Sequence, residues 1–260
     1  MDTRKFSIYS VYHKPFLQPG AGFVIPIHAG KAISNTELGF AGDDTGDNIS
    51  DQNRNFCELT VVYWIWKNVA FEPGDIWGLC HYRRYFGIPA TGWFSKKRSF
   101  IKRKPTAAEL DARVNDRFKD YVCHTLETAD AIIQQPAYAS KKKGKILTIE
   151  AHYLQEHIAE HWKASKEVML EFYPEYATSL AEFCNSEKMS FANMMIASAA
   201  VWDGYLSWLF HILFEVQKRT AIPEDAYQAR VFGFISERIL TLYLRHNKLR
   251  VAYMPIEFYE

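Results

Sequence analysis

The chain opens on an apolar, β-branched and aromatic run, Phe6–Tyr12 (FSIYSVY), which predicts a first strand running into the polar His13-Lys14-Pro15. A second extended piece over residues 23–28 (FVIPIH) leads into Ala29-Gly30, and Pro26 keeps it out of a fully paired central position. Residues 39–55 are polar and rich in Asp, Asn and Gly, so they predict a loop. Asn55-Phe56-Cys57-Glu58 has the spacing of a capping box with Asn55 as the cap. The helix it opens, residues 56–68, carries Leu59, Val62, Tyr63 and Trp66 on one face. Val61, Trp64 and Ile65 cover much of the rest, so this helix is expected to be largely buried. Residues 76–80 (IWGLC) predict a central strand that runs directly into His81-Tyr82-Arg83-Arg84-Tyr85.

Downstream, residues 87–105 read as an irregular basic loop. Residues 107–128 read as a helix with Leu110, Val114, Phe118 and Val122 in step. A strand over 128–135, a helix or helix pair over 149–172 and a helix over 176–184 follow. A strand over 189–197 with Asn193 near its start precedes a strongly apolar helix over 201–218. A last helix lies within 230–244, and RVAYMPIEFYE at the end reads as a strand. Strands alternating with helices predict an α/β fold, one domain over residues 1–260, with a mostly parallel central sheet flanked by helices.

Composition changes this picture little. A hydrophobic fraction of 48% and an aromatic fraction of 15% are ample for a packed core of 260 residues. A net charge of +1 gives no global reason to expect nucleic acid as a partner. Locally, Lys96-Lys97-Arg98 with Lys102-Arg103-Lys104 form one basic cluster, and Lys141-Lys142-Lys143 with Lys145 another. These are either solvated loops or contacts for anionic lipid head groups or a diphosphate-bearing acceptor. Cys57, Cys80, Cys123 and Cys184 are widely spaced without a C-x-x-C pair. That spacing suits a reducing compartment and argues against a disulfide scaffold or a cysteine zinc site. The first residues are too polar for a signal peptide, and no apolar run reaches the roughly 18 residues of a membrane span. The expectation is a cytoplasmic protein, peripheral at the membrane if it meets one.

The candidate chemistry is concentrated between residues 42 and 86. Two adjacent arginines on an extended segment point to opposite faces, so one of Arg83 and Arg84 can face a diphosphate while the other pairs with a carboxylate. The preceding loop interleaves Asp43, Asp44, Asp47 and Asp51 with Gly42, Gly46 and Asn48, and a calcium-loop register is absent. It reads as a surface loop or as part of an anion or metal site. His28 and Gly30 either approach a base or ribose or form a plain turn.

Taken together, DDTGDNIS, CELT and YW-W-KN, then GLCHYRRYF, NMMI and the R–GF-SER stretch resemble a bacterial family from capsule, exopolysaccharide and lipopolysaccharide clusters. That family was long labelled a domain of unknown function, and some members look like galactofuranosyltransferases. The resemblance covers nearly the whole chain, from His13-Lys14 to Glu237-Arg238. It implies a glycosyltransferase with a GT-A-like fold, a donor-binding half over about residues 1–135 and an acceptor-side half over about 136–260. It also implies a nucleotide-sugar donor such as a UDP-hexose, and a glycan or lipid-linked glycan as acceptor.

Where GT-A enzymes carry an Asp-x-Asp metal motif, this chain has His81-Tyr82-Arg83-Arg84, so cationic side chains are expected to replace the metal. On this reading His13, Lys14, His28, Gly30, Asp43, Asp44, Asn48, His81, Arg83, Arg84, Asn193 and Arg230 serve the donor. Glu237 is the first candidate for the base that deprotonates the acceptor, and Asp47 the second. Tyr153 and His157 stand on the acceptor side. No cofactor is firmly implied; if manganese or magnesium is used, Asp43 and Asp44 are the candidate ligands. For Glu237 a salt bridge to Arg230 or Arg238 is the plain structural alternative.

Two rival readings differ in class. His157-Ile-Ala-Glu160-His161 matches H-x-x-E-H, the inverted zinc-protease motif, but nothing around it looks like a peptidase. A non-catalytic carbohydrate-binding protein of a polysaccharide assembly complex would also use abundant aromatics.

Overall fold

A computed structural model describes residues 4–90, 98–142 and 145–260. Lys96, Lys97 and Lys143, and the side chains of Lys141, Lys142 and Lys145, lie outside the described residues. In chain order the strands are β1 (Phe6–Tyr12), β2 (Val24–His28), β3 (Ile76–His81), β4 (Arg84–Phe86), β5 (Phe100–Arg103), β6 (Ala131–Gln134), β7 (Ala137–Tyr138), β8 (Ser140–Lys142), β9 (Lys145–Leu147), β10 (Lys188–Met189), β11 (Met195–Ser198), β12 (Val251–Met254) and β13 (Ile256–Tyr259). The helices are α1 (Asn53–Phe56), α2 (Leu59–Asn68), α3 (Ala107–Asp111), α4 (Asp116–Thr125), α5 (Ile149–Glu156), α6 (Ala159–Phe172), α7 (Ala177–Asn185), α8 (Ala199–Arg219) and α9 (Val231–His246).

Nine strands make one sheet, with β1 between β2 and β3 and the rest in the order β12-β6-β11-β3-β4-β13-β5. β1 runs parallel to both β2 and β3, while β11 runs antiparallel to β3 and β6. The sheet is therefore mixed: β2, β1 and β3 form a parallel set, and β11 and β4 run antiparallel to β3. Period-2 alternation builds its two faces. Trp77 and Leu79 of β3, Tyr9 and Val11 of β1, Ile133 of β6 and Met195 of β11 point into one core with α2 and α5 to α9. Ile76 and Cys80, Ile8, Ile132 and Ile196 point into the other, against Leu110 of α3 and Phe118 and Val122 of α4. Helices thus cover both faces, as the periodicity predicts. Gly78 is where β3 passes closest to its neighbours: a Cβ there would sit 2.6 Å from Ile196 and 2.8 Å from Ile8.

Several boundaries differ from expectation. The C-terminal run is two strands, broken by Pro255, which has no N–H to give a ladder. The basic loop after Gly87 contains β5, which gains order from parallel pairing with β13 rather than from its own pattern. The helix expected over 107–128 is split, because Asn115 caps α4 by accepting from Phe118 N–H at 3.3 Å. The capping-box reading also fails. α1 ends at Phe56, Cys57 takes φ 53° and ψ −131°, and Glu58 becomes the residue before α2, with no side-chain cap.

Candidate functional site

Because β1, β2 and β3 are parallel, their carboxyl ends open at the same edge of the sheet, the usual ligand edge of α/β folds. β3 stops at His81, and Tyr82-Arg83 turns the chain back into β4, pairing His81 with Arg84. Opposite stand His13 and Lys14 after β1, the junction between α1 and α2, and Arg230 at the start of α9. These elements enclose a cavity of about 520 Å³, lined by His13, Lys14, Arg54, Cys57, Glu58, His81, Tyr82, Arg83, Arg84 and Arg230 among others. Its volume suits a drug-sized or nucleotide-sized ligand.

Tyr82 organises the cationic wall. Its ring lies edge-on to His13 at 4.9 Å and to Phe16 at 5.4 Å. Lys14 Nζ stands 5.5 Å and the Arg83 guanidinium 5.4 Å from its centroid. Arg83 and Arg84 also lie over Phe258, at 4.8 and 5.4 Å. The expectation that the two arginines divide between ligand and carboxylate is corrected. Residues 82–83 form a turn, not a strand, so both arginines line the cavity and neither is ion-paired among the described residues. Arg54 donates only to the carbonyl of Glu224, at 2.6 Å, and Arg230 Nε to Cys57 Sγ, at 3.3 Å. Five permanent cations, Lys14, Arg54, Arg83, Arg84 and Arg230, thus share one cavity without an ion pair among the described residues.

Both histidines of this wall are shifted toward the neutral form. Burial lowers His81 to about 4, with Arg84, His13 and Arg230 opposing its proton and Glu58 favouring it; its buried Nε2 has no partner. His13 is also shifted down, first by loss of water and then by Lys14, Arg83 and Arg230. The wall is therefore arginine and lysine charge with imidazole beside it, not a run of cations through His81.

On the inner side, Glu58 lines the cavity and accepts from Asn193 Nδ2 at 2.6 Å. Glu237, on α9, is not among the residues that line the cavity but is within electrostatic reach of Glu58, Arg84 and Arg230. Burial, then the charge of Glu58, pushes its carboxyl up to about 8. No ion pair joins it to Arg230 or Arg238 among the described residues. Arg238 turns away into the core, donating to the carbonyl of Phe234 at 2.7 Å.

The acidic loop lies elsewhere. Asp43 is fully buried and accepts from Gly30 N–H at 2.9 Å, Lys31 N–H at 3.1 Å and the hydroxyls of Ser50 and Thr60. It stitches the turn after β2 to α2, and Gly30 supplies the φ of 64° that this turn requires. With both Asp43 oxygens engaged, the Asp43-Asp44 pair is a poor fit for a divalent cation. No cluster of three His, Cys, Asp or Glu side chains is placed for a metal among the described residues. Asp47 accepts from Tyr63 Oη at 3.1 Å and its backbone is bound by Asn68, near the far end of a helix about 15 Å long. That placement separates it from the cavity, so it is not positioned as a base for a ligand there. Asn48 closes a local turn with Gly46 and Ser50, and buried His28 bonds Ser34 at 3.1 Å.

Tyr153 and His157 are likewise outside the cavity. Tyr153 is buried beneath the Arg238 guanidinium, at 4.6 Å, and His157 stacks on Phe234 at 3.9 Å. The H-x-x-E-H pattern does not form a two-histidine helix face. His157 ends α5 in extended geometry, while His161 lies in the first turn of α6 with Nε2 3.0 Å from the Ala221 carbonyl. Sequence reasoning passed over Arg54, Cys57 and Glu58. The signal for Glu58 was present in CELT, but its capping-box spacing pointed to a backbone role.

No helix among the described residues is long and apolar enough to cross a membrane. An apo structure of WbbM, described as a bifunctional glycosyltransferase, matches 99% of this chain at 27% identity with a TM-score of 0.86. The chain spans 46% of that protein's chain. No curated relative matches. A family model matches residues 7–248, nearly the whole chain, and on that match the protein belongs to the family described as Domain of unknown function (DUF4422).

Proposed function

We propose that the protein is a glycosyltransferase that moves a sugar from a nucleotide-sugar donor to a growing glycan. The carrying observation is the set of five cations in one cavity at the carboxyl edge of the sheet, none of them ion-paired among the described residues. Unpaired arginines and lysines held in a cleft form a site for a multiply charged anion, and arginine suits the geometry of phosphate. The likeness to a protein described as a bifunctional glycosyltransferase supports the same reading.

In this reading Arg83, Arg84, Arg230 and Lys14 hold the donor diphosphate and take up the charge that develops as the sugar leaves, in place of a metal. Neutral His13 and His81 donate hydrogen bonds rather than charge. A carboxylate on the inner wall takes the acceptor proton, with inversion at the anomeric carbon. The donor is a UDP-hexose, with UDP-galactofuranose first among them. The acceptor is a glycan or lipid-linked glycan of capsule, exopolysaccharide or O-antigen type, met at the cytoplasmic membrane face.

A thermal-shift titration with UDP tests the donor site. Saturating UDP raises Tm by roughly 5–10 °C, since a ligand at about 100 times Kd adds about 2.7 kcal/mol. The shift survives EDTA and falls by more than half in Arg84→Ala and Arg230→Ala. No shift with UDP or any UDP-hexose overturns the proposal, and a shift abolished by EDTA returns the diphosphate to a metal.

A further inference from the structure

Glu58 is held in place by a buried relay that a surface carboxylate would not need. Asn193, 6% exposed, precedes β11 and points its amide at the α1–α2 junction. Its Nδ2 lies 2.6 Å from Glu58 Oε1 and 3.3 Å from the carbonyl of Gly233. A carbonyl can only accept, so this end of the amide is the NH2 group, and the opposite end is the oxygen. That oxygen accepts from the fully buried Ser236 hydroxyl at 2.9 Å. The amide therefore has one orientation, and it offers Glu58 a donor. The hydrogen bond ties down Oε1, and Oε2 of this cavity-lining residue has no hydrogen bond among the described residues. The chain also adopts φ 53° and ψ −131° at Cys57, a region that non-glycine residues avoid, and this turn puts Glu58 outside the helix, on the cavity wall.

We propose that Glu58, rather than Glu237, is the catalytic base of this site, and that Asn193 is its positioning residue. The assignment rests on the transferase reading above. In the step, the acceptor hydroxyl gives its proton to Glu58 Oε2. Its oxygen forms a bond to the anomeric carbon while the bond from that carbon to the diphosphate oxygen breaks. The electron pair of the broken bond leaves with the diphosphate, which faces Arg83, Arg84 and Arg230. Two electrostatically coupled carboxylates do not both ionise readily. Glu58 lines the cavity and Glu237 does not, and loss of water together with the charge of Glu58 keeps the Glu237 proton on near neutral pH, so it cannot accept another. The charged and titratable groups facing Glu58 are Cys57 beside it, His81 of β3, and Arg230 and Glu237 from the α9 side.

The test compares wild type, Glu58→Gln, Glu237→Gln and Asn193→Ala for UDP binding and for UDP release from UDP-galactopyranose and UDP-galactofuranose, where water serves as acceptor. Glu58→Gln keeps UDP affinity within about threefold and loses release by about 10²–10³-fold. Glu237→Gln retains at least a tenth of the wild-type rate. Asn193→Ala moves the acid limb of the rate profile to higher pH, because the donor that favours the charged carboxylate is gone. A purely structural role would lower the rate equally at every pH. Glu58→Gln at more than a tenth of the wild-type rate overturns the assignment, as does the reverse ranking with Glu237→Gln inactive. A wild type that binds UDP yet releases none from either donor also overturns it. Failure of wild type to bind UDP overturns the transferase reading itself.

Discussion

At the scale of single residues, the site is defined by which charges are left without partners. Glu257 shows the contrast: it is 2% exposed, and Arg103 meets it at 2.6 Å as a buried carboxylate requires. Glu237 has no such partner among the described residues, and loss of water has moved its titration instead. Its folded-state carboxyl titrates near 8, against an ordinary value of 4.5. Between those values the folded chain holds a proton that the unfolded chain has lost, so stability falls as pH rises through this window. Glu237→Gln removes the titration. Relative to wild type, its Tm is unchanged at pH 4.5 and higher by at least about 2 °C at pH 8, as scanning calorimetry at the two pH values reads directly. Equal offsets at both would mean that Glu237 is ionised in the folded protein. His81 acts in the opposite sense. Its lowered pKa leaves the unfolded chain with more protons between about 4 and 6.5, so its share of stability is complete above that window and lost below it.

At the scale of elements, the junction of α1 and α2 matters most. An uninterrupted helix from Asn53 would carry Glu58 as an ordinary helical residue. The turn at Cys57 instead places it on the cavity wall, and the thiol bonds Arg230 at 3.3 Å. A left-handed φ costs a residue with a Cβ about 1–2 kcal/mol, a penalty that glycine escapes. Chemical denaturation therefore separates two substitutions: Cys57→Gly stays within about 1 kcal/mol of wild type, whereas the β-branched Cys57→Val loses at least about 2 kcal/mol. A tolerated valine would mean that the junction is not held in this conformation. This junction was also the least legible element. Cysteine gives no warning of a left-handed turn, and Asn55 to Glu58 has the spacing of an ordinary cap. The strands β1, β3, β6 and β11 were legible because alternation of apolar residues survives burial on both faces of a sheet. β5 was not, since FIKR is ordered by its pairing with β13, a partner more than 150 residues later.

For the whole molecule, net charge misleads. The chain carries 31 basic and 30 acidic residues and is nearly neutral, yet five cations without an ion pair among the described residues meet in one cavity. The RR pair pointed to that cavity because it follows a buried strand. Lys14, Arg54 and Arg230 join it only through the fold, from three separate stretches of chain. Such a cluster stores repulsion in the free protein, and that repulsion is relieved when an anion binds. Salt should therefore act with opposite signs on the two states. Its screening length is about 14 Å at 0.05 M and about 4 Å at 0.5 M, shorter at the upper end than the spacing of charges across the cavity. The Kd for UDP, followed by calorimetry over that range of sodium chloride, rises about tenfold. Tm of the free protein rises over the same range, and Arg84→Ala with Arg230→Ala reduces both effects together. Parallel changes, or a UDP affinity indifferent to salt, would mean that the cations are neutralised by neighbours and that the cavity is not organised around an anion.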